Sequence, residues 1–390
     1  MKFGFALCAL GLSLVAGAVG CGDDSPGGGG AGATGGAGAT GGAGGAGGSG
    51  ASRTAAIGFQ PWPYDATSEA LDWTWDQILA NGDAVLVHFE EGVPWPEALS
   101  GAPFPASFQA AVEDQRNRTP TDRKVLLSLN ALDVGRVTLA GYRGDTANQP
   151  RPAPFDGYSF ADADVHDAYA NYVERMVDIV SPDWVLIGIE SNKLMSNDKA
   201  AWPSYVGLVC ATYQTLKARG VTQPLYVSLV SNEFFPDTSE AVLADQLQVL
   251  DDLTPCTDGF AISAHPFLSG LLADSFPDDY FDQLAALSDR WVGVSESSYP
   301  AQEWTTNNLV WTGTPEKQDH YLERLMAASH SYGWQFTFWF VIRDYDQLWN
   351  GALGQSQLGL LWRDTGLYDE AGAPRIALDR WQAELALPRR

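Results

Sequence analysis

The chain has 390 residues, of which 45% are hydrophobic and 12% aromatic, and 48 acidic against 23 basic side chains give a formal net charge of −25. These fractions exclude a wholly disordered protein, and the negative field would repel phosphate backbones, so no nucleic-acid partner is expected. The length allows two or three domains or one large α/β barrel. Fifteen of the 41 glycines lie between Gly27 and Gly50, so the glycine surplus is local.

The N-terminus has the pattern of an export signal. Lys2 precedes an apolar run over residues 3–19, as in signal peptides. The run ends in Ala-Val-Gly-Cys at Cys21, which resembles the lipobox of bacterial lipoproteins. This resemblance implies that residues 1–20 are removed and that Cys21 is lipidated, with an ordinary secretory signal as the alternative. We therefore predict a lipid-anchored protein of the cell envelope, at the outer membrane or the cell surface.

A Gly/Ala-rich tether is predicted over residues 21–52, which contain the near-repeat GATGGAGATGGAG. Such a segment lacks the side chains needed to build a core, so it should behave as a flexible coil. Its Gly42–Gly47 stretch has the G-x-G-x-x-G spacing of dinucleotide-binding loops, but no strand precedes it and no helix follows it. We interpret it as linker, and we expect one folded domain over residues 53–390.

Two cysteines remain in the predicted domain, Cys210 and Cys256. In an oxidising compartment the two thiols could pair as a disulfide. The alternative, two separately buried thiols, stays open because the sequence gives no distance between them.

The domain is predicted to contain eight strand-then-helix units. Short apolar runs alternate with stretches of helical periodicity, which is typical of a parallel sheet covered by helices. Eight units predict the α/β fold class and a (β/α)8 TIM barrel, with an open doubly wound sheet as the alternative. The predicted strands are Ala55–Phe59, Ala84–Phe89, Val125–Leu129, Trp184–Ile189, Leu225–Val230, Gly259–Ser263, Trp291–Ser295 and Gln335–Phe340. The predicted helices are Ser68–Ala80, Pro105–Arg116, Val165–Val180, Trp202–Arg219, Ser239–Leu250, Asp278–Ser288, Lys317–Tyr332 and Ile376–Glu384.

Polar and aromatic residues follow these strands. In a TIM barrel the active site is built at the carboxyl ends of the strands, and carboxylates without partners are costly to bury, so the pattern favours a functional site over a purely structural rim. The strand ends carry, in chain order, Gln60 and Trp62, then His88, Glu90 and Glu91, Asn130, Glu190 and Asn192, Asn232 and Glu233, His265, Glu296 and Tyr299, and finally Trp339.

Glu190 ends the fourth predicted strand and Glu296 ends the seventh. Glycoside hydrolysis needs two carboxyl groups at the scissile bond, one to donate a proton and one to attack or to activate water. Further motifs are Ser-Ala-His-Pro-Phe at 263–267, Phe-Trp-Phe at 338–340 and Gly-Leu-Tyr-Asp-Glu-Ala-Gly-Ala-Pro-Arg at 366–375. With this ordered set the chain resembles the clan A retaining (β/α)8 glycoside hydrolases, and among them the endo-β-1,4-galactanases of glycoside hydrolase family 53.

The resemblance implies that Glu190 is the proton donor and Glu296 the nucleophile of a retaining, endo-acting enzyme on a β-linked polysaccharide or oligosaccharide. It also implies that Trp339 lines the floor of the sugar site. No cofactor or metal is expected. The protein is expected to be a monomer. The residues expected to contact the substrate are Trp62, His88, Glu90, Asn130, Asn192, Asn232, His265, Tyr299 and Trp339.

Two departures from the clan keep other functions open. Ile189 stands where the clan has the asparagine that precedes the proton donor, and the arginine usual near the end of strand 2 is missing. A non-catalytic carbohydrate-binding surface protein on a degenerate barrel is therefore one alternative, and core packing is the alternative role for His265 and Trp339. Another alternative is a barrel enzyme with a metal held by four side chains, namely His88, Glu90, Glu91 and Glu233.

Overall fold

The structure is a computed structural model, and it describes residues 52–235, 240–269, 276–306 and 309–390. The predicted signal peptide, Cys21 and the predicted tether up to residue 51 lie outside the described residues. No helix of the described part of the chain is long and apolar enough to cross a bilayer.

Eight parallel strands form the sheet. They are β1 Ala56–Phe59, β2 Ala84–Phe89, β3 Lys124–Leu129, β4 Trp184–Leu186, β5 Leu225–Val230, β6 Gly259–Ala264, β7 Trp291–Ser297 and β10 Phe336–Trp339. They close into a barrel in the order β1-β10-β7-β6-β5-β4-β3-β2. Each strand pairs with its neighbours in parallel, so the predicted TIM barrel is confirmed and the open doubly wound sheet is excluded. A two-stranded antiparallel hairpin that the sequence did not predict, β8 Glu303–Thr306 and β9 Leu309–Thr312, follows the seventh barrel strand.

Helices surround the barrel. They are α1 Ser68–Ala80, α2 Trp95–Ser100, α3 Ala106–Arg118, α4 Ala163–Val180, α5 Asn192–Asn197, α6 Trp202–Ala218, α7 Glu240–Leu253, α8 Tyr280–Ala285, α9 Pro315–Tyr332, α10 Asp346–Asn350, α11 Gln357–Leu361 and α12 Ile376–Leu385. Two of the long helices begin at a threonine cap. The Thr67 hydroxyl accepts a hydrogen bond from the Ala70 N–H at the start of α1, and the Thr314 hydroxyl accepts one from the Lys317 N–H at the start of α9.

The apolar side chains form two main layers because successive strand residues point to opposite faces of the sheet. Leu86, Leu126 and Phe338 belong to the cluster that fills the barrel interior. A larger cluster, with Trp334 and Trp381 among its fully buried members, packs the outside of the barrel against the helices. Apolar side chains fill the barrel interior. The residues at the carboxyl ends of the strands lie above this filling and form the mouth of the barrel.

A disulfide joins Cys210 of α6 to Cys256, whose Cα atoms lie 4.7 Å apart. It connects α6 to the short 3₁₀ turn Thr254–Cys256 that precedes β6. The link therefore fixes a helix of the outer layer to the entry of a barrel strand.

Candidate active site

Alternation along the strands brings the predicted catalytic and binding residues to the barrel mouth. Leu86 of β2 points into the barrel, so His88, two residues further on, faces the same side. Leu186 of β4 also points inward, and Glu190 follows four residues later. The regular part of β4 ends at Leu186, three residues earlier than predicted, and the chain bends before it reaches Glu190.

Glu190 is held in an unusual conformation by contacts from three neighbouring elements. Its φ is +51°, in the left-handed region that side chains other than glycine rarely adopt. Its N–H donates to the Ser228 hydroxyl of β5 at 2.9 Å. One carboxylate oxygen accepts from the Ser263 hydroxyl of β6 at 2.8 Å, and the other accepts from Arg136 at 3.0 Å. The carboxylate is therefore fixed on both sides.

Arg136 comes from the connection between β3 and α4 and lies between two glutamates. Its buried guanidinium contacts Glu90 at 2.5 Å and Glu190 at 3.0 Å through the same Nη2 atom. Glu90 also accepts a hydrogen bond from Asn130 at 3.1 Å and lies 3.5 Å from Nε2 of His88. One cation thus joins the ends of β2 and β4.

Glu296 lies beside a histidine. Nε2 of His265 is 3.7 Å from Oε1 of Glu296, which is an electrostatic contact longer than a good hydrogen bond. The Nδ1 atom of His265 pairs with the Ser298 hydroxyl at 2.9 Å, and the edge of the ring meets Trp362. His265 is therefore buried and oriented toward the glutamate at the end of β7.

The local charges shift the pKa values of Glu90, Glu296 and His88 at this mouth. Burial alone would raise the pKa of Glu90, but the charge of Arg136 and the contact with His88 lower it to about 2. Burial also opposes ionisation of Glu296, yet His265 and then the charge of His88 hold its pKa below the ordinary value. Burial lowers the pKa of His88, but Glu90 and Glu296 outweigh it and raise that pKa. Glu90 and Glu296 are therefore both carboxylates at neutral pH.

The remaining two strand-end glutamates form ion pairs away from this cluster. Glu91 contacts the fully buried Arg143 at 2.9 Å, and Glu233 contacts Lys193 at 2.6 Å and the Ser196 hydroxyl. Among the described residues, the other strand-end glutamates each pair with an arginine or a lysine. Glu296 differs from them because its ion pair is formed with a histidine.

The three predicted asparagines differ in where their amides point. The Asn130 amide contacts Glu90 and the backbone of Ile189, so it lies at the mouth. Asn192 is fully buried, and its amide bonds the Val230 backbone in both directions. The Asn192 side chain therefore stabilises the end of β5 and is not accessible to a sugar. The Asn232 amide donates a hydrogen bond to the backbone carbonyl of His265 at 3.0 Å. The ring of His265 faces Glu296.

Trp339 lies in the outer layer and not on the floor of the site. It is 0% exposed, its indole N–H donates to the Thr365 carbonyl at 2.9 Å, and its ring packs near Tyr321 of α9. The reason is parity, because Phe338 points into the barrel and its neighbour must point out. The interior-facing aromatic ring at this strand end is Phe340.

Of the other predicted aromatic residues, one lies at the mouth and one is buried. Trp62 is half-buried and packs edge-on against Phe340 and Tyr345. Tyr299 is buried and stacks on Tyr321, with ring centroids 5.2 Å apart. Trp62 is therefore the ring that a ligand could reach.

A cavity of about 710 Å³ opens beside the cluster, between α1 and α3. It shares His88 and Trp62 with the mouth and continues past Glu91 along the helix faces, where Trp75 contributes to the wall. Neither of the two predicted catalytic glutamates lines it. The cavity therefore borders the site without containing its carboxylates.

One group of carboxylates in the described part of the chain has the spacing of a metal site. Asp344, Asp346 and Asp364 each offer an oxygen within 4.8 Å of the others. Two of them already form bidentate pairs, Asp344 with Arg375 and Asp364 with Arg363. The four side chains of the alternative metal site, His88, Glu90, Glu91 and Glu233, do not form such a group among the described residues. The three carboxylates pair instead with Arg136, Arg143 and Lys193.

Sequence reasoning missed three residues of the mouth. Arg136 lies in a long connection and has no motif or spacing that marks it. Ser263 begins the Ser-Ala-His-Pro-Phe motif, in which the sequence analysis assigned a role only to the histidine. Phe340 could have been found, since counting in twos from the apolar interior residues of β10 selects it.

No protein-family sequence model matches the chain, and no curated protein does. Several solved structures match its fold. A fungal β-1,4-galactanase is 14% identical with a TM-score of 0.53, covering 80% of this chain and 91% of its own. A GH5_18 protein from Bifidobacterium longum subsp. longum, in complex with Manβ1-4GlcNAc, is 14% identical with a TM-score of 0.58, covering 86% of this chain and 80% of its own.

A third structure is an exo-β-1,4-mannosidase from Opitutaceae bacterium strain TAV5. It is 14% identical with a TM-score of 0.56, and the match covers 85% of this chain and 59% of the mannosidase. At this level of identity the likeness shows the fold. The predicted resemblance to (β/α)8 glycoside hydrolases of clan A is confirmed as a structural one.

Proposed function

We propose that the protein is a retaining glycoside hydrolase in which Glu190 is the acid/base and Glu296 the nucleophile. The observation that carries this proposal is the charge arrangement at the barrel mouth. Glu296, at the end of β7, has a lowered pKa and a histidine neighbour, so it is an ionised carboxylate without an arginine or lysine partner among the described residues. The fold likeness to a β-1,4-galactanase and a β-1,4-mannosidase supports the same function.

The proposed reaction proceeds in two displacements. A carboxylate oxygen of Glu296 attacks the anomeric carbon while the bond to the glycosidic oxygen breaks, and Glu190 gives its proton to that oxygen. Glu190, now ionised, then takes a proton from a water molecule whose oxygen attacks the anomeric carbon and releases Glu296. The anomeric configuration is therefore retained.

The proposed substrate is a neutral β-linked polysaccharide or oligosaccharide, cleaved within the chain. The net charge of −25 disfavours polyanionic glycans. Trp62 at the mouth offers an aromatic surface for a pyranose ring, and the adjoining cavity leaves room for further sugar units. These features support an extended substrate.

The test is hydrolysis of β-galactans, β-glucans, β-mannans and xylans by the wild type, Glu190→Gln and Glu296→Gln, with Glu233→Gln as a control. We expect each catalytic variant to lose at least a hundredfold in kcat on the cleaved glycan, and the control to keep most of its activity. Proton NMR of the first product should show the β-anomer. Equal inactivity of wild type and variants, with glycan binding retained, would point to the non-catalytic alternative, and an α-anomer would refute retention.

We also propose that the protein is exported and lipid-anchored through Cys21. The lipobox-like sequence supports this, as does the pairing of Cys210 with Cys256, since disulfides persist mainly in oxidising compartments. Metabolic labelling with a palmitate analogue in a bacterial host should label the wild type and Cys8→Ser but not Cys21→Ser. Label that survives Cys21→Ser would refute the anchor.

A further inference from the structure

The cavity of about 710 Å³ beside the proposed active site has the size of a ligand pocket. It begins at the barrel mouth, where His88 and Trp62 line it, and runs between α1 and α3. Phe89 and Glu91 also line it, and both belong to the outer layer. The cavity therefore leads from the mouth past the end of β2 into the layer of helices.

The wall of the cavity combines apolar surface with two polar atoms that lack a partner. Leu71 and Trp75 of α1 and Phe89 of β2 supply apolar side chains. The indole N–H of Trp62 and the side-chain oxygen of Gln115 are buried and have no hydrogen-bond partner among the described residues. Buried polar groups are normally paired, and a hydroxyl group can pair with a donor or with an acceptor. The wall therefore suits a ligand that has both apolar faces and hydroxyl groups.

The charges of the wall disfavour an anionic ligand. The guanidinium of Arg118 is already paired with Asp72 of α1 at 2.8 Å and with Asp114 of its own helix at 3.0 Å. His88, at the mouth end of the cavity, lies beside the carboxylate of Glu90. The carboxylates that line the cavity are those of Asp65, Asp72, Glu91 and Asp114. Since negative groups outnumber positive ones, the wall favours an uncharged ligand.

We propose that this cavity is a second sugar-binding pocket, which takes an uncharged sugar unit of the glycan that is cleaved at the mouth. This inference rests on the proposed function, because the occupant is part of the proposed substrate. A pyranose ring has apolar faces that pack on aromatic side chains, and its hydroxyl groups both donate and accept hydrogen bonds. The unit lies away from the cleaved bond, since neither Glu190 nor Glu296 lines the cavity. Its source is either the backbone of a linear chain or a branch, and the choice of probes distinguishes the two.

Ala111→Trp tests the pocket by filling it. Ala111 is a half-buried residue of α3 that lines the cavity, so a tryptophan there occupies the space of a ligand. Glu113→Trp is the matched control, because it adds the same side chain at an exposed position of the same helix outside the cavity. Both variants are made in Glu296→Gln, so that the glycan stays intact during titration calorimetry. The probes are linear β-1,4-linked galacto-, gluco-, manno- and xylo-oligosaccharides of two to six units, and manno-oligosaccharides that carry one galactose branch.

We expect Ala111→Trp to weaken binding of the tightest probe about tenfold or more, and Glu113→Trp to leave that affinity unchanged. A loss that begins at one chain length of the linear probes assigns the pocket to a backbone unit. A loss confined to the branched probes assigns it to a branch. Equal affinities of Ala111→Trp and its control overturn the proposal, and so does the absence of binding by every probe.

Gln115→Leu tests the polar part of the wall without filling the cavity. It removes a buried oxygen that lacks a partner, so the free energy of unfolding should stay the same or rise. The affinity for the tightest probe should nevertheless fall about fivefold, because a sugar hydroxyl loses its hydrogen bond. A purely structural role for Gln115 would lower the stability and leave the affinity unchanged. Where Ala111→Trp does not fold, an unchanged affinity in Gln115→Leu overturns the proposal.

Binding and hydrolysis together separate this inference from the proposed function. If a probe that the wild type does not hydrolyse binds more weakly to Ala111→Trp, the pocket is supported and only the proposed reaction is lost. If the wild type hydrolyses the probes and Ala111→Trp has the same kcat/KM on all of them, the pocket is overturned and the reaction stands.

Discussion

Glu90→Gln tests whether the Glu90 carboxylate stabilises the barrel mouth through its charge. The side chain is 25% exposed and contacts Arg136 at 2.5 Å and Asn130 at 3.1 Å. Burial would raise its pKa, but Arg136 and His88 lower it from the ordinary 4.5 to about 2. A tenfold change in proton affinity is worth about 1.4 kcal/mol, so ionised Glu90 stabilises the fold by about 3 kcal/mol at pH 7. Because the pKa of the folded state is the lower one, this contribution is complete above about pH 4.5 and is lost as pH falls toward 2.

The assay is chemical unfolding of wild type and Glu90→Gln at pH 7 and at pH 3. The free energy of unfolding of the variant should be lower by about 3 kcal/mol at pH 7, and the difference should fall to about half or less at pH 3. Asp114→Asn is the control, since Asp114 is 52% exposed in its pair with Arg118 and should cost under about 1 kcal/mol. A deficit of equal size at both pH values would refute the electrostatic reasoning.

Two further predictions concern the proposed nucleophile and the disulfide. In His265→Ala, Glu296 loses the neighbour that lowers its pKa, so the acidic limb of the kcat/KM profile should move to higher pH. An unmoved acidic limb in pH–rate measurements would contradict this. Cys210→Ser should lower the free energy of unfolding by about 3–4 kcal/mol, because the disulfide closes a loop across a sequence separation of 46. Unchanged denaturant midpoints for wild type and variant would contradict the second prediction.

The barrel could be predicted from the sequence because its signal is local. Each barrel strand is a short apolar run, and each flanking helix repeats its apolar residues with helical spacing. The observed β2 Ala84–Phe89 and β5 Leu225–Val230 agree with prediction to the residue, as does α1 Ser68–Ala80. The hairpin of β8 and β9 was missed, since its two strands of four residues lie within one connection, where the regular alternation of strand and helix stops. Strands and helices that follow the regular repeat can thus be predicted from the sequence, whereas elements inserted into the repeat cannot.

The site could be located from the sequence but its charge pairing could not. The ends of β4 and β7 follow from the strand order, and that order places Glu190 and Glu296 at the same mouth. The partner of Glu190 comes from a connection of more than thirty residues between β3 and α4, whose path depends on tertiary contacts. The arginine that the clan has near the end of strand 2 illustrates this limit. The sequence lacks an arginine at that place, but the folded chain brings the guanidinium of Arg136 to Glu90 from the connection between β3 and α4.

The two adjacent glutamates at the end of β2 show how one connection can contact both the outer layer and the barrel mouth. Alternation sends Glu90 toward the barrel mouth and Glu91 toward the outer layer, and each meets a buried arginine of the same connection, Arg136 or Arg143. Among the described residues Arg143 forms its ion pair with Glu91, whereas Arg136 is shared between Glu90 and Glu190. Two residues of the same type, seven positions apart, therefore perform different tasks. Arg143 secures the connection to the barrel, and Arg136 joins Glu90 to Glu190, the proposed acid/base.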